Sequence, residues 1–203
     1  MKDRPDDARG VTAANGTTKA RIERAALLLF AERGIDAVTT REIAAASGVS
    51  EGALYRHYSG KEQLAETMFF AIHERLASDI RTAGQSSKNI DKLAIAIVAA
   101  YCRIADDDWA LFSYHLLSTH RFLPRPGKSR RRKHDDPVSE TEDIIETAML
   151  RGDIADGDHK LKAAMALGVV LQTALHKIYG RITGELSAHQ NALTKAVLAA
   201  LKA

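Results

Sequence analysis

Proline is the residue that most limits what this chain can fold into. It occurs at Pro5, Pro124, Pro126 and Pro137 only, and a proline inside a helix deletes a backbone hydrogen bond and clashes with the preceding turn. The two long proline-free stretches carry apolar residues at spacings of three and four with few β-branched runs, which is helical periodicity. The pattern predicts an all-α chain of about nine helices with one interruption, a Pro/Arg-rich loop at 121–137. With 45% apolar but only 5% aromatic residues, its core must be built from Leu, Ala, Ile and Val.

The first sixteen residues are polar and aperiodic and are expected to form a mobile tail. Cys102 is the single cysteine, so no internal disulfide is available. The residues after Met1 resemble no signal peptide, and the longest apolar runs, at 94–102 and 163–171, are shorter than a membrane span. A cytoplasmic protein with no membrane partner is the expectation.

From Thr17 the apolar set Ile22, Ala25, Ala26, Leu29 and Phe30 predicts a first helix stopped by Gly34. Thr39-x-x-Glu42 reads as a capping box opening a short second helix that ends at Gly48. Ser50 caps a short third helix through Leu54 to Tyr58, and Ser59-x-x-Glu62 opens a long fourth. Further helices are expected at about 89–105, 108–121, 139–151, 159–182 and 187–202, with Ser139-x-x-Glu142 and Ser187-x-x-Gln190 as boxes.

Between Thr39 and Lys61 two short helices meet at a tight glycine turn. Ala44 and Ala45 permit close approach, Gly48 can take the left-handed conformation, and Ile43, Val49 and Leu54 point inward. These are the requirements of a helix-turn-helix, whose second helix lies in the DNA major groove.

The segment Arg21 to Leu64 resembles the DNA-binding domain of TetR-family transcriptional regulators. The likeness rests on Phe30 to Gly34, Thr39 to Ala44, Gly48 to Ser50, Leu54 to Tyr58 and Lys61 to Leu64, with Tyr58 standing where phenylalanine is commonest. The resemblance implies a helix-turn-helix domain at 17–62 followed by a helical effector-binding and dimerisation domain at 63–203. It implies that Thr40, Tyr55, His57 and Lys61 hold DNA phosphates and that Arg41, Glu51, Gly52 and Ala53 face base edges. Ser50, at the start of the recognition helix, and Arg56, long enough for a groove wall or a phosphate, complete the DNA-binding set. Arg41 offers a bidentate fork for guanine and Glu51 an acceptor for a cytosine amino group.

For the second domain the resemblance implies a homodimer, paired through the apolar helix at 159–182 and the striped helix at 187–202, and a cavity for a small-molecule effector. Apolarity over most of the circumference of the 159–182 helix predicts burial on two sides. Cavity candidates are Tyr101, Trp109, Phe112, His115, Leu116, Ile145, Met149, Met165 and Tyr179. His115 and His120 share a helix face poorly, Asp106-Asp107-Asp108 reads as a helix cap, and no metal-ligand spacing or cofactor motif appears.

Net charge is +3, but seven basic residues and no acid lie between Arg121 and His134, a run expected to be a solvated linker. Nucleophile elbows, phosphate loops and paired catalytic carboxylates are missing from the sequence, which argues against an enzyme. The expectation is a ligand-responsive repressor that reads a palindromic double-stranded operator as a homodimer. The alternative is a DNA binder without an effector.

Overall fold

The computed structural model describes residues 10–123 and 136–202. Residues 1–9 of the expected tail, and the basic run beyond Leu123, lie outside the described residues. Among the described residues there are nine α-helices and no strand: α1 (Thr18–Arg33), α2 (Thr40–Ser47), α3 (Glu51–Tyr55), α4 (Lys61–Gly84), α5 (Ile90–Asp107), α6 (Trp109–Phe122), α7 (Pro137–Leu150), α8 (His159–Ile178) and α9 (Gln190–Lys202), with a short 3₁₀ turn at Leu186–His189 before the last. They fall into two compact units. The first runs to Ile72 and includes Leu117–Leu123; the second takes His73–Leu116 and the described residues from 136 onward.

In the first unit α1 and α2 pack around Ile22, Leu27, Phe30, Val38 and Ile43, all buried. Helix ends obey local chemistry. The Thr17 side chain accepts from the Ala20 amide, and Thr39 and Glu42 form the expected reciprocal capping box. At the start of α4 the partner is different from the one expected: Ser59 N–H donates to Gln63 Oε1 at 2.6 Å, one residue beyond Glu62. The last part of the expected tail makes specific contacts. The amides of Val11, Thr12 and Ala13 all donate to Glu23 Oε2, at 2.7, 2.8 and 3.3 Å, so a buried carboxylate on α1 holds this stretch in place. Phe122 completes the unit from α6, its ring centroid 5.1 Å from that of Phe69.

In the second unit the caps show what a local motif cannot see. Asp136, followed by Pro137, caps α7 by accepting from the Val138 and Ser139 amides, because its carboxylate is a stronger acceptor than the expected Ser139 hydroxyl. Ser187 does not open a helix either: its amide and that of Leu186 donate to Asp106 at 2.9 and 2.8 Å. The aspartate run is therefore divided, with Asp108 capping α6 through the Leu111 amide at 3.1 Å. Gly84 lets α7 approach α4 closely, since a Cβ there would lie 2.6 Å from Ile144 Cδ1.

Helix α8 ends at Ile178, four residues short of expectation, and it is not buried on two sides. Ala163, Ala166, Leu167, Val170 and Ala174 face inward, whereas Leu161, Met165 and Tyr179 are exposed. It is also the one helix among the described residues long and apolar enough by composition to cross a membrane, although its inner face packs on α7 and α9.

Candidate nucleic-acid interface and effector cavity

The geometry of the α2–α3 corner follows from three residues. Gly48 takes φ +66°, ψ +35°, a left-handed conformation that a side chain disfavours, and its amide bonds back to the end of α2. Ser50 then starts α3, its hydroxyl accepting from the Ala53 amide at 3.2 Å. Ile43 and Leu54 are fully enclosed between the helices and fix their crossing.

This corner presents Arg41, Ser50, Glu51, Gly52, Tyr55, Arg56 and His57 to solvent, with Thr40 half-buried beside them. Thr40 Oγ1 lies 3.3 Å from Tyr55 Oη and 3.5 Å from Glu51 Oε2, so the start of α2 is tied to the outward face of α3. Backbone donors at the start of α3, exposed guanidiniums and a phenol hydroxyl together form a surface suited to phosphate oxygens and base edges.

Two of the ten candidates are placed otherwise. Ala53 is buried, 7% exposed. Lys61 Nζ donates to the carbonyls of Ile35, Asp36 and Val38 at 3.0, 3.0 and 2.7 Å. Its ammonium closes the turn between α1 and α2, which explains a cation in the first turn of α4 without any phosphate. The sequence carried no sign of this contact, because the three carbonyls lie more than twenty residues away. Arg121 forms an ion pair with Asp36 at 2.9 Å within the same unit.

In the second unit a small apolar cavity of about 40 Å³ lies among α5, α7, α8 and α9. Of the nine candidates it brings together Tyr101 and Ile145; apart from Thr141 the remaining wall is aliphatic, including Leu93, Val98, Leu167 and Val170. Seven candidates do not line it. Trp109 stacks against Phe112 at 6.1 Å, with the Lys177 ammonium 4.8 Å above the Trp109 ring. His115 Nε2 meets His73 Nδ1 at 3.0 Å, and His73 Nε2 lies 3.3 Å from the Asp136 carboxylate. Burial, followed by the neighbouring His73, pushes the His115 pKa down to about 3. Leu116 and Met149 are half-buried elsewhere, and Met165 and Tyr179 are exposed. Large and polarisable side chains were poor markers because the wall is made of residues that look like ordinary core.

Residues 22–68 match the family described as "Bacterial regulatory proteins, tetR family". The HTH-type transcriptional repressor KstR2 of Rhodococcus jostii is 39% identical over 103 residues, 48% of this chain and 50% of that protein. The chain spans about a fifth to a half of the length of the curated relatives it matches. Over nearly its whole length it has the fold of a TetR family transcription regulator from Marinobacter aquaeolei, with TM-score 0.74, 18% identity, and 91% of this chain and 95% of that one covered. Transcriptional regulator FadR from Bacillus subtilis, in complex with stearoyl-CoA, shares the fold at TM-score 0.70 and 16% identity, covering 89% of this chain and 97% of that one.

Proposed function

We propose that this protein is a homodimeric transcriptional repressor that binds a two-fold symmetric DNA operator and releases it when a small molecule occupies the cavity of the second unit. The exposed α3 surface, built on Gly48 and Ser50 and flanked by Arg41 and Arg56, carries this reading. A recognition helix of this kind covers only a few base pairs, so one copy gives little specificity. Two copies on half-sites a helical turn or so apart supply it.

Support for pairing comes from α8 and α9. Leu161, Ala164, Met165 and Gly168 on α8 and Ala192, Ala196 and Ala199 on α9 are exposed in the single chain, and small apolar residues on two adjacent helices suit a four-helix interface between two copies. The division of labour is a DNA-binding domain at 17–62 and an effector and dimerisation domain at 63–203. Helix α4 contributes residues to both compact units, which makes it the element through which occupancy of the cavity biases DNA affinity.

Selection of bound duplexes from a random pool tests the reading. Enrichment of one palindromic sequence, with light scattering giving twice the 22.1 kDa chain mass, is the expected result. A stable monomer at micromolar concentration overturns it. Binding without enrichment favours the alternative, a DNA binder with no effector.

A further inference from the structure

The first unit holds a cation that lies outside the helix-turn-helix itself. Arg21, on α1, is exposed and makes no side-chain hydrogen bond or ion pair among the described residues. Two other arginines of the unit are spent differently: Arg33 and Arg121 are held by the carboxylates of Glu42 and Asp36, each at 2.9 Å. The Arg21 guanidinium extends instead to the turn between α2 and α3, where Nη1 lies 3.8 Å from the position a Cβ would take on Gly48. There it borders an open groove between α1 and α2 whose wall includes Arg24, Ser47 and Gly48 and contains no acid. The one acid of α3, Glu51, has its carboxylate 3.5 Å from the Thr40 hydroxyl, which belongs to the opposite end of α2.

This position matters because a helix in the major groove meets two backbones, one from each strand, about 12 Å apart. The phosphate candidates Thr40 and Tyr55 meet each other at the start of α2 and serve one of them. Gly48 follows directly after the end of α2 at Ser47, and seven rises of about 1.5 Å from Thr40 to Ser47 make that end about 10 Å distant. A guanidinium at this turn therefore stands roughly one groove width from Thr40. Its planar fork of donors matches phosphate oxygens. With no carboxylate beside it, Arg21 gives up no ion pair on meeting an anion, so release of the DNA counterion adds to binding undiminished.

Taking the DNA-binding reading above as its basis, we infer that Arg21 holds a backbone phosphate on the strand opposite the one met by Thr40 and Tyr55, so that α1 supplies the second wall of the nucleic-acid interface.

Two measurements on the full-length protein test this. The first is the salt dependence of binding, which needs no selected sequence. Arg21→Ala should flatten the slope of log K against log salt by about 0.9 per subunit, equally on the selected duplex and on an unrelated one, since phosphates carry no sequence. The second replaces one phosphate at a time in the selected duplex by an uncharged methylphosphonate. Sensitive positions should fall on both strands of each half-site, each weakening the parent by about tenfold at low salt, the worth of a hydrogen bond to a charged group. Arg21→Ala should lose its sensitivity at a position on one strand, and Tyr55→Phe at a position on the other. Arg21→Ala breaks no side-chain bond among the described residues and places a strong helix former on an exposed face, so it should melt at or above the parent temperature. A parental salt slope in Arg21→Ala, or a loss of sensitivity on the same strand as in Tyr55→Phe, would overturn the inference while leaving DNA binding intact. A parent protein that binds no duplex even at low salt brings down the DNA-binding reading itself.

Discussion

The Tyr58 hydroxyl donates to the Glu23 carboxylate at 2.6 Å, with the two side chains 3% and 0% exposed. The same carboxylate receives the Thr12 hydroxyl and the amides of Val11, Thr12 and Ala13. One buried anion thus joins the arm before α1, α1 itself and the segment following α3. Burial alone would raise the Glu23 pKa, but the bonds from Thr12 and Tyr58 hold it below its ordinary value.

Glu23→Gln should destabilise the protein by about 2–3 kcal/mol, because an amide cannot accept from so many donors, and Tyr58→Phe by about 1.5 kcal/mol. The sign of the pH dependence follows from a folded pKa below the unfolded one. The contribution is complete above about 4.5 and is lost as pH falls through the folded value. Urea unfolding across pH 3–7 checks this: Glu23→Gln should lose part of the acid dependence, and an acid limb identical to that of the parent would refute it.

Lys61→Met should lower stability by about 2 kcal/mol, since three carbonyls of the α1–α2 turn lose a charged donor. The salt dependence of DNA binding by the folded variant should match the parent. Arg56→Ala should flatten the slope of log K against log salt by about one unit, the signature of one lost phosphate contact. Titrations at several salt concentrations separate these roles, and a flattened slope for Lys61→Met would restore the phosphate contact expected from the resemblance.

Gly48→Ala tests backbone strain alone. A Cβ there has the Arg21 guanidinium 3.8 Å away as its nearest neighbour, so no clash arises, and the cost is the left-handed conformation, about 1–2 kcal/mol. Thermal unfolding should show a loss of that size, with Gly48→Asn losing less. Equal losses for both variants would point to something other than φ.

His115 places a second acid sensitivity in the second unit. Its folded pKa of about 3 lies below the ordinary 6.5, so the unfolded chain binds a proton that the folded protein refuses. Stability should fall as pH drops from 6.5 toward 3, by up to about 1.4 kcal/mol per unit. Asp136, held at about 2 by His73 and Ser139 against its burial, acts only below the ordinary carboxylate range, so the windows differ. His115→Phe should flatten the pH 4–6.5 limb, as read by urea midpoints; an unaltered limb there would show that His115 is not its source.

The helix-turn-helix was legible in the sequence because everything that shapes it is local. Thr39 and Glu42 are three residues apart, Ser50 reaches the amide of Ala53, and Gly48 acts through its own φ angle. The exposed set from Arg41 to His57 follows from helical spacing once those ends are fixed. Where an acceptor from further along the chain competed, local motifs failed: Asp106 on α5 took the amides assigned to a Ser187 box.

The sequence by itself thus determined the all-α class, the helix boundaries governed by neighbours within four residues, and the exposed α2–α3 corner. Only the tertiary structure decided that Lys61 is spent on three carbonyls, that Glu23 anchors the arm, and that the cavity is walled by aliphatic residues around Tyr101. The physical reason is the range of the interactions. Caps and turns close over a few bonds, whereas a void exists only after helices distant in sequence have packed, and no single position carries its signature.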